Sequence, residues 1–289
     1  MLPEIGRDSF FLGAGADYAG ARVVLVGAGL DATVCFRPGT REGPRAVRQF
    51  SQCLEEYSLY LDRDIREVPF CDLGDVNLPL GDVGEALREI ERVATGILSD
   101  GKIPVLVGGE HLVTFAVLRA VFQRYPDVVV LHFDAHADLR DEYLGVKLSH
   151  ATVMRRVVEL LGPGRVFQFG VRSADRAEIA FARDHTRLFL YEVHRPLAAV
   201  YPEITGKKVY ITLDVDVVEP AYAPGVGTPE PGGIDPDELL KAVYALRGLD
   251  VVGFDVVEIN PLCDPGGLAP LLAAKVLREM VLILTGEGY

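Results

Sequence analysis

The sequence predicts an α/β fold, in which helices cover both faces of a parallel β-sheet. Apolar runs of strand length alternate with helical stretches along most of the 289 residues. The runs are rich in Val, Ile and Leu without a clean polar alternation, a pattern typical of strands buried on both faces. Repeated strand–helix units build either a doubly wound sheet or a (β/α)8 barrel, and the alternation does not distinguish the two.

Eight segments have the composition of buried strands. They are residues 21–28, 65–72, 102–109, 127–133, 165–170, 186–191, 208–216 and 250–258. No linker, repeat or low-complexity tract separates these segments. We therefore expect a single domain over residues 1–289.

Six helices are predicted between and after these strands. Pro44 suits a first helical turn, Gly101 is a natural helix end, and Pro126 stops the helix before it. The predicted helices cover residues 43–57, 84–102, 112–125, 149–162, 235–248 and 268–284.

The charge and cysteine content exclude several classes of protein. A net charge of −13 argues against a general nucleic-acid binder, which needs a basic face. The four cysteines form no CxxC pair, and the first residues lack the apolar core of a signal peptide, so we expect reduced thiols and a cytoplasmic location. Residues 268–284 contain three charged side chains, which indicates a packed helix rather than a membrane span.

Polar clusters lie where predicted strands end. They are GGEH (108–111), DAHAD (134–138), LDVD (213–216) and VEIN (257–260). In both α/β architectures, sites form at the carboxyl ends of strands. We therefore expect the four clusters to lie together.

The residue types in three of these clusters predict a metal site. The spacing in DAHAD lets three side chains converge, and in LDVD two Asp residues are expected on the same side of their strand. Mixed imidazole and carboxylate ligands suit manganese, iron or catalytic zinc, whereas calcium and magnesium favour oxygen alone. Six ligands suit two ions about 3.5–4 Å apart. The candidate ligands are His111, Asp134, His136, Asp138, Asp214 and Asp216.

A simpler interpretation exists for each of these residues taken alone. His111 alone would more often be a capping or core histidine than a ligand, and Asp214 could simply end a strand. His132, inside a predicted strand, is interpreted as a packed or hydrogen-bonded core residue. The combination favours the metal site, because four unpaired Asp at one point would repel one another strongly.

The successive motifs resemble those of the ureohydrolases, the arginase and agmatinase family. The motifs are GGEHLVT, HFDAHADLR, LSHAT, VYITLDVDVVEPAYAPGVGTPEPGG and GFDVVEINP, and the similarity runs nearly end to end. RPGTREGP, LEEYSLYLDRD and APGVGTPEPGG are more similar to bacterial agmatinases than to arginases. Two departures are GGEH, where most of the family has GGDH, and Glu219, where Asp is usual.

This resemblance implies a three-layer α/β/α fold with a mostly parallel eight-stranded sheet, two Mn²⁺ ions per subunit, and a homotrimer or homohexamer. It implies that one ion is held by His111, Asp134, Asp138 and Asp214, and the other by Asp134, His136, Asp214 and Asp216. The implied activity is hydrolysis of the guanidinium group of agmatine to putrescine and urea, a step of polyamine biosynthesis.

The resemblance also implies roles for residues outside the ligand set. Glu258 would bind the planar guanidinium, for which a carboxylate is the matching partner. His150 would move a proton to the departing amine. Thr228 would contact the edge of the guanidino group.

The choice of substrate depends on the group at the other end of the molecule. The loop of residues 139–149 offers Asp141 and Glu142, which suit an ammonium group better than a carboxylate, whereas Arg140 acts in the opposite sense. The alternatives are a ureohydrolase of N1-aminopropylagmatine, guanidinobutyrate or arginine, and a non-catalytic member of the family.

Overall fold

The computed structural model describes residues 5–6 and 10–286. Within these residues, nine strands form one sheet, with the spatial order β1-β5-β2-β6-β11-β10-β7-β8-β9. The strands are β1 (Ile5–Gly6), β2 (Val23–Ala28), β5 (Phe70–Val76), β6 (Ile103–Gly108), β7 (Val129–Phe133), β8 (Val166–Val171), β9 (Arg187–Leu190), β10 (Lys208–Asp214) and β11 (Asp250–Val257). A small ribbon of β3 (Tyr57–Ser58) and β4 (Arg63–Asp64) lies apart from this sheet.

Eight of the nine strands are parallel to their neighbours, and the two-residue β1 is antiparallel at one edge. The sheet is open, so the predicted three-layer fold with an eight-stranded parallel sheet is confirmed. The strand predicted at 65–72 instead covers Phe70–Val76. Its first part forms a 3₁₀ turn at Ile65–Glu67, because the Asp64 side chain accepts a hydrogen bond from the Arg66 amide.

The helices form the two outer layers. They are α1 (Gly43–Ser51), α2 (Val83–Ser99), α3 (Val113–Arg124), α4 (Val153–Leu161), α5 (Arg176–His185), α6 (His194–Ile204), α7 (Pro236–Ala245) and α8 (Leu268–Leu284). Helices α2 to α5 pack on one face of the sheet, and α1, α6, α7 and α8 pack on the other. Within the described ranges, no helix is long and apolar enough to cross a membrane.

The sequence analysis missed α5 and α6. The sequence does signal the start of α5: Asp175 accepts hydrogen bonds from the Ala177 and Glu178 amides, and Glu178 accepts one from the Asp175 amide. This reciprocal arrangement is a capping box. Helix α6 contains Pro202, a residue that argues against a helix interior.

The order of the central strands brings the polar clusters together. Strands β6, β11, β10 and β7 are neighbours, and the clusters follow or complete these strands. Asp214 pairs in register with Val257, the residue before Glu258, and Leu213 pairs with Phe133, the residue before Asp134. The site is therefore built at the carboxyl edge of the middle of the sheet.

Candidate metal centre and active-site cavity

The first group of converging side chains surrounds His111. Its Nδ1 atom lies 3.0 Å from Asp134 Oδ2, 3.3 Å from Asp138 Oδ2 and 3.3 Å from Asp214 Oδ2. All four residues are buried. The structure thus places one imidazole nitrogen among three carboxylates from two other chain segments.

The second group surrounds His136. Its Nδ1 atom lies 2.9 Å from Asp216 Oδ2 and 3.6 Å from Asp134 Oδ1. Asp134 therefore faces both groups, one with each carboxylate oxygen. The six predicted ligand residues are brought together as two adjacent groups that share a carboxylate.

The prediction that Asp214 and Asp216 extend from one side of a strand is wrong. Strand β10 ends at Asp214, and Val215–Val217 form a 3₁₀ turn. The Asp214 side chain accepts a hydrogen bond from the Asp216 amide at 2.8 Å, which stabilises this turn. Asp216 reaches His136 because the chain turns at this point.

A chain of hydrogen bonds sets the orientation of the His111 ring. Nε2 lies 3.0 Å from Thr212 Oγ1, and Thr212 donates its hydroxyl proton to Asp255 Oδ1 at 2.5 Å. Asp255 is also an acceptor for the Tyr210 hydroxyl. Nε2 therefore carries a proton. Nδ1 faces the carboxylates, where the ligating nitrogen of a metal-binding histidine would lie.

His132 orients Asp134 in the same way. Gln168 donates from Nε2 to His132 Nδ1 at 3.1 Å, so His132 Nε2 donates to Asp134 Oδ2 at 2.7 Å. His132 is fully buried, as predicted for a hydrogen-bonded core residue. Its contact with Asp134 gives it a supporting role at the site that the sequence analysis missed.

Burial and mutual repulsion shift the pKa values of carboxyl groups in the cluster. Desolvation, with repulsion from Asp134, raises the pKa of Asp138 to about 7. Desolvation, with repulsion from Asp216 and Asp134, raises the pKa of Asp214 well above its ordinary value. For His136, burial alone would lower the pKa, but Asp216 and Asp134 outweigh it and raise the pKa. A cluster that favours positive charge this strongly suits cations.

Two residues at the site have a left-handed backbone. Asp138 has φ 53° and Glu258 has φ 65°. Such conformations cost free energy in non-glycine residues and concentrate at functional sites. Asp138 and Glu258 each lie in a segment that follows a strand, and both line the cavity described next.

A cavity of about 270 Å³ adjoins both groups. His136, Asp138 and Asp214 line it, together with Glu258, His150 and Thr228, the three residues predicted to act on a substrate. Its remaining lining residues are Cys35, Arg140, Tyr143, Ala151, Ser173, Ala174, Asp175 and Glu178.

Glu258 is buried in the wall of this cavity. Its Oε1 accepts a hydrogen bond from the His111 amide at 2.7 Å. Burial is the main cause that raises the pKa of Glu258 well above its ordinary value, and nearby Glu110 adds to it. A cation that entered the cavity would stabilise the ionised carboxylate.

His150 lies at the start of the 3₁₀ turn that precedes α4. Its backbone amide donates to Thr33 Oγ1 at 3.0 Å, and its Nδ1 lies 3.2 Å from the same oxygen. Desolvation, with repulsion from His136 and His111, lowers its pKa to about 4. The ring is therefore neutral at neutral pH.

Arg140 contributes a positive charge to the cavity wall. Its Nη1 donates to Asp175 Oδ2 at 2.7 Å, and its Nε lies 3.7 Å from Glu178 Oε2. The acidic residues predicted to host an ammonium, Asp141 and Glu142, are exposed and do not line the cavity. Asp141 instead forms an ion pair with Arg156 at 2.8 Å.

Comparison with known proteins identifies the family. The model of the arginase family matches residues 21–283. The chain belongs to the arginase family. Members depend on a pair of metal ions, and this chain is a hydrolase of the carbon–nitrogen bonds of guanidino compounds.

Individual arginase-family proteins are similar over nearly the whole chain. An agmatinase of Halalkalibacterium halodurans is 44% identical over 94% of this chain and 95% of its own. A guanidinobutyrase of Pseudomonas aeruginosa is 36% identical over 91% of this chain and 86% of its own. The crystal structure of agmatine ureohydrolase of Thermoplasma volcanium has a TM-score of 0.87 and 34% identity, and the match covers 99% of this chain and 96% of that one.

Several residues of this arginase-family site escaped the sequence analysis. Thr212, Asp255 and Gln168 lie inside apolar strands, and Thr33 lies in a loop far away in the sequence. The available signal was polarity in an otherwise apolar strand, because a buried polar side chain needs a partner. That signal does not reveal which residue is the partner of the buried side chain.

Proposed function

We propose that this chain hydrolyses the guanidinium group of agmatine to urea and putrescine, with two Mn²⁺ ions bound by the His/Asp cluster. The observation that carries the proposal is the pair of His/Asp groups sharing Asp134, with the Glu258 carboxylate in the same cavity. The agmatinases among its relatives support the choice of substrate.

The donor set fits two divalent cations. One position would be held by His111, Asp134, Asp138 and Asp214, and the other by Asp134, His136, Asp214 and Asp216. The position of His111 Nδ1 supports the first set, because three carboxylate oxygens lie within 3.3 Å of it. Mixed imidazole and carboxylate donors suit manganese. When bound, such a pair of ions lowers the pKa of a water molecule and supplies a nucleophile at neutral pH.

Glu258 would hold the guanidinium group of the substrate. A carboxylate matches the planar fork of a guanidinium and forms strong charge-assisted hydrogen bonds with it. The hydrogen bond from the His111 amide fixes Glu258 Oε1, so the orientation of the carboxylate is set before substrate arrives. Thr228 would contact the edge of the same group.

His150 would manage the proton that the departing amine requires. Guanidinium hydrolysis cannot release an amine anion, so a side chain must deliver a proton to its nitrogen. His150 lines the cavity, and its ring is neutral at neutral pH. A neutral imidazole can accept a proton from the nucleophile and return it to the amine. We expect His150→Ala to lose less activity at high pH than at neutral pH.

The charges of the cavity suit a substrate with two positive groups. Glu258, Asp175 and Glu178 contribute negative charge to the lining, and Arg140 offsets part of it. The net charge of −13 also attracts a dication, more weakly at high salt. 4-Guanidinobutyrate is the second candidate, because Arg140 offers a positive partner to a carboxylate. N1-aminopropylagmatine, arginine and a non-catalytic role are the remaining alternatives, and the complete ligand set argues against the last.

Urea release from a panel of guanidino compounds tests the proposal. The Mn²⁺-loaded protein should act on agmatine with kcat/KM at least about a hundredfold above that for arginine, equivalent to roughly 2.7 kcal/mol. The reason is that arginine would bring a carboxylate into a pocket lined by Glu258, Asp175 and Glu178, where Arg140 is already paired with Asp175. A preference for another compound of the panel would change the substrate, and no urea from any of them would refute the enzymatic role.

We further propose that the chain forms a single domain and assembles as a homotrimer or homohexamer. The support for the assembly is the resemblance to agmatinases. Sedimentation equilibrium should give a mass three or six times the 31.5 kDa of one chain. A species of 31.5 kDa alone would contradict the assembly and leave the catalytic proposal unaffected.

A further inference from the structure

Glu110 is a buried carboxylate next to the candidate ligand His111 in the sequence, and its oxygens bind the loop after β2. Its Oε2 accepts hydrogen bonds from the Ala32 and Thr33 amides, each at 2.7 Å. Its Oε1 accepts the Thr33 hydroxyl at 2.7 Å. Glu110 is fully buried, and these three bonds tie the loop that follows β2 to the residue next to His111.

The hydrogen bond to Glu110 determines whether the Thr33 hydroxyl can donate to His150 or only accept from it. A hydroxyl has one proton, and Thr33 donates it to Glu110. Thr33 Oγ1 can therefore only accept, and two His150 nitrogens lie within reach: the backbone amide at 3.0 Å and Nδ1 at 3.2 Å. An acceptor at this distance requires the imidazole proton to be on Nδ1.

The other ring nitrogen then carries no proton. Nε2 lies on the side of Cys35, another residue of the cavity lining, with the Cys35 sulfur 3.7 Å away. With the proton on Nδ1, Nε2 has a lone pair that can accept a proton and return it. The opposite tautomer would present an N–H and could not begin such an exchange.

Ser149 is the competing neighbour of Nδ1. Its Oγ lies 3.3 Å from His150 Nδ1 and also accepts from the Ala151 amide at 3.4 Å. Its hydroxyl proton is not committed to a carboxylate, so Ser149 could be either donor or acceptor. Thr33 differs in this respect, because Glu110 fixes the direction of its hydrogen bond.

We propose that Thr33 and Glu110 are positioning residues that hold the His150 imidazole with its proton on Nδ1 and its Nε2 available to the substrate. Glu110 orients Thr33, and Thr33 orients His150. The inference rests on the proposed role of His150 in catalysis.

Thr33→Val is the decisive variant, because it keeps the shape of the side chain and removes the acceptor. We expect kcat for agmatine to fall about tenfold with little change in KM and with two Mn²⁺ ions retained. Thr33→Ser should restore most of the activity, and Ser149→Ala should stay within about twofold of the wild type. In a His150→Ala background, Thr33→Val should have no further effect on kcat.

The protonation state of the ring gives a second readout that does not depend on turnover. Nitrogen NMR of ¹⁵N-histidine-labelled, metal-free protein at pH 7.5 should show His150 with its proton on Nδ1, and Thr33→Val should shift the population towards Nε2. Glu110→Asp should weaken the effect of Thr33, because the shorter side chain reaches the loop less well.

An unchanged kcat in Thr33→Val, an equal loss in Thr33→Ser, or a wild-type proton on Nε2 would each overturn the inference. A further loss of activity in the His150→Ala background would also overturn it, because Thr33 would then act through another group. If the wild type releases no urea from any guanidino compound, the proposed function fails, and the NMR result still decides whether Thr33 holds the ring.

Discussion

His111 Nε2 lies 3.0 Å from Thr212 Oγ1, and this contact turns Nδ1 towards three carboxylates. Thr212 belongs to β10 and His111 follows β6, so the contact spans β11, the strand between them. The sheet thereby fixes both the tautomer and the direction of a candidate metal ligand.

Thr212→Val should weaken metal binding. Valine has a similar shape but cannot accept the Nε2 proton, so the ring loses its fixed orientation. We expect the affinity for Mn²⁺, measured by isothermal titration calorimetry, to fall about 10- to 100-fold. Thr212→Ser is the matched control and should bind as the wild type does. Equal affinities for Thr212→Val and the wild type would show that the contact does not orient a ligand.

Asp134→Ala should remove both ions, because each oxygen of Asp134 faces a different group. Asp138→Ala should weaken mainly the ion bound beside His111. Elemental analysis after desalting should give close to two ions for the wild type, close to none for Asp134→Ala and about one for Asp138→Ala. Asp141→Asn, at an exposed carboxylate outside the cavity, should retain two. Two ions in Asp134→Ala would rule out a shared ligand.

Glu258→Gln should lose most of the activity and retain metal and fold. Glutamine keeps an oxygen that can accept the His111 amide, but it lacks the charge that binds a guanidinium. We expect kcat/KM for agmatine to fall at least about a hundredfold, a loss of roughly 2.7 kcal/mol in transition-state binding. Glu142→Gln, at an exposed residue, should leave the rate unchanged. Near-normal activity of Glu258→Gln would remove Glu258 from the mechanism.

Arg140→Gln should alter the choice between substrates. Arg140 occupies Asp175 Oδ2, whereas Asp175 Oδ1 already accepts two amides at the start of α5. Removing the guanidinium frees a carboxylate oxygen for an ammonium group and removes a partner for a carboxylate. We expect the ratio of kcat/KM for agmatine to that for 4-guanidinobutyrate to rise about tenfold. A ratio that stays constant or falls would show that Arg140 does not discriminate between the two.

Glu279 should contribute stability that depends on pH. Burial tends to raise its pKa, but hydrogen bonds from Ser58 and Arg278 outweigh burial and lower it below 4.5. The folded chain thus binds the proton more weakly than the unfolded chain does. The contribution is therefore complete above about pH 4.5 and is lost as pH falls through the lowered pKa.

Urea unfolding of metal-free Glu279→Gln tests this dependence. At pH 7 the substitution should cost on the order of 3 kcal/mol, because it leaves Arg278 without its buried partner. The cost should shrink as pH is lowered below 4.5. Glu85→Gln, in a surface pair with Arg88, should change stability little at both pH values. A cost for Glu279→Gln that is independent of pH would contradict the linkage.

The sequence by itself determined the α/β class of the fold and the chemistry of the cluster, whereas its strand pattern fitted both an open sheet and a barrel. The buried strands were predictable because a strand covered on both faces must be apolar throughout, and this leaves a local pattern. The DAHAD ligands were predictable because three ionisable side chains within five residues have no structural reason to end a buried strand.

The tertiary structure decided how these ligands are oriented. Asp216 reaches His136 because the chain forms a 3₁₀ turn there, and the side-chain alternation of a strand does not predict that turn. Thr212 meets His111 across an intervening strand, and Glu110 meets Thr33 across 77 positions of sequence. Such pairings leave no local pattern, because a hydrogen bond between distant segments depends on the order and register of the strands, and these are set only when the whole sheet packs.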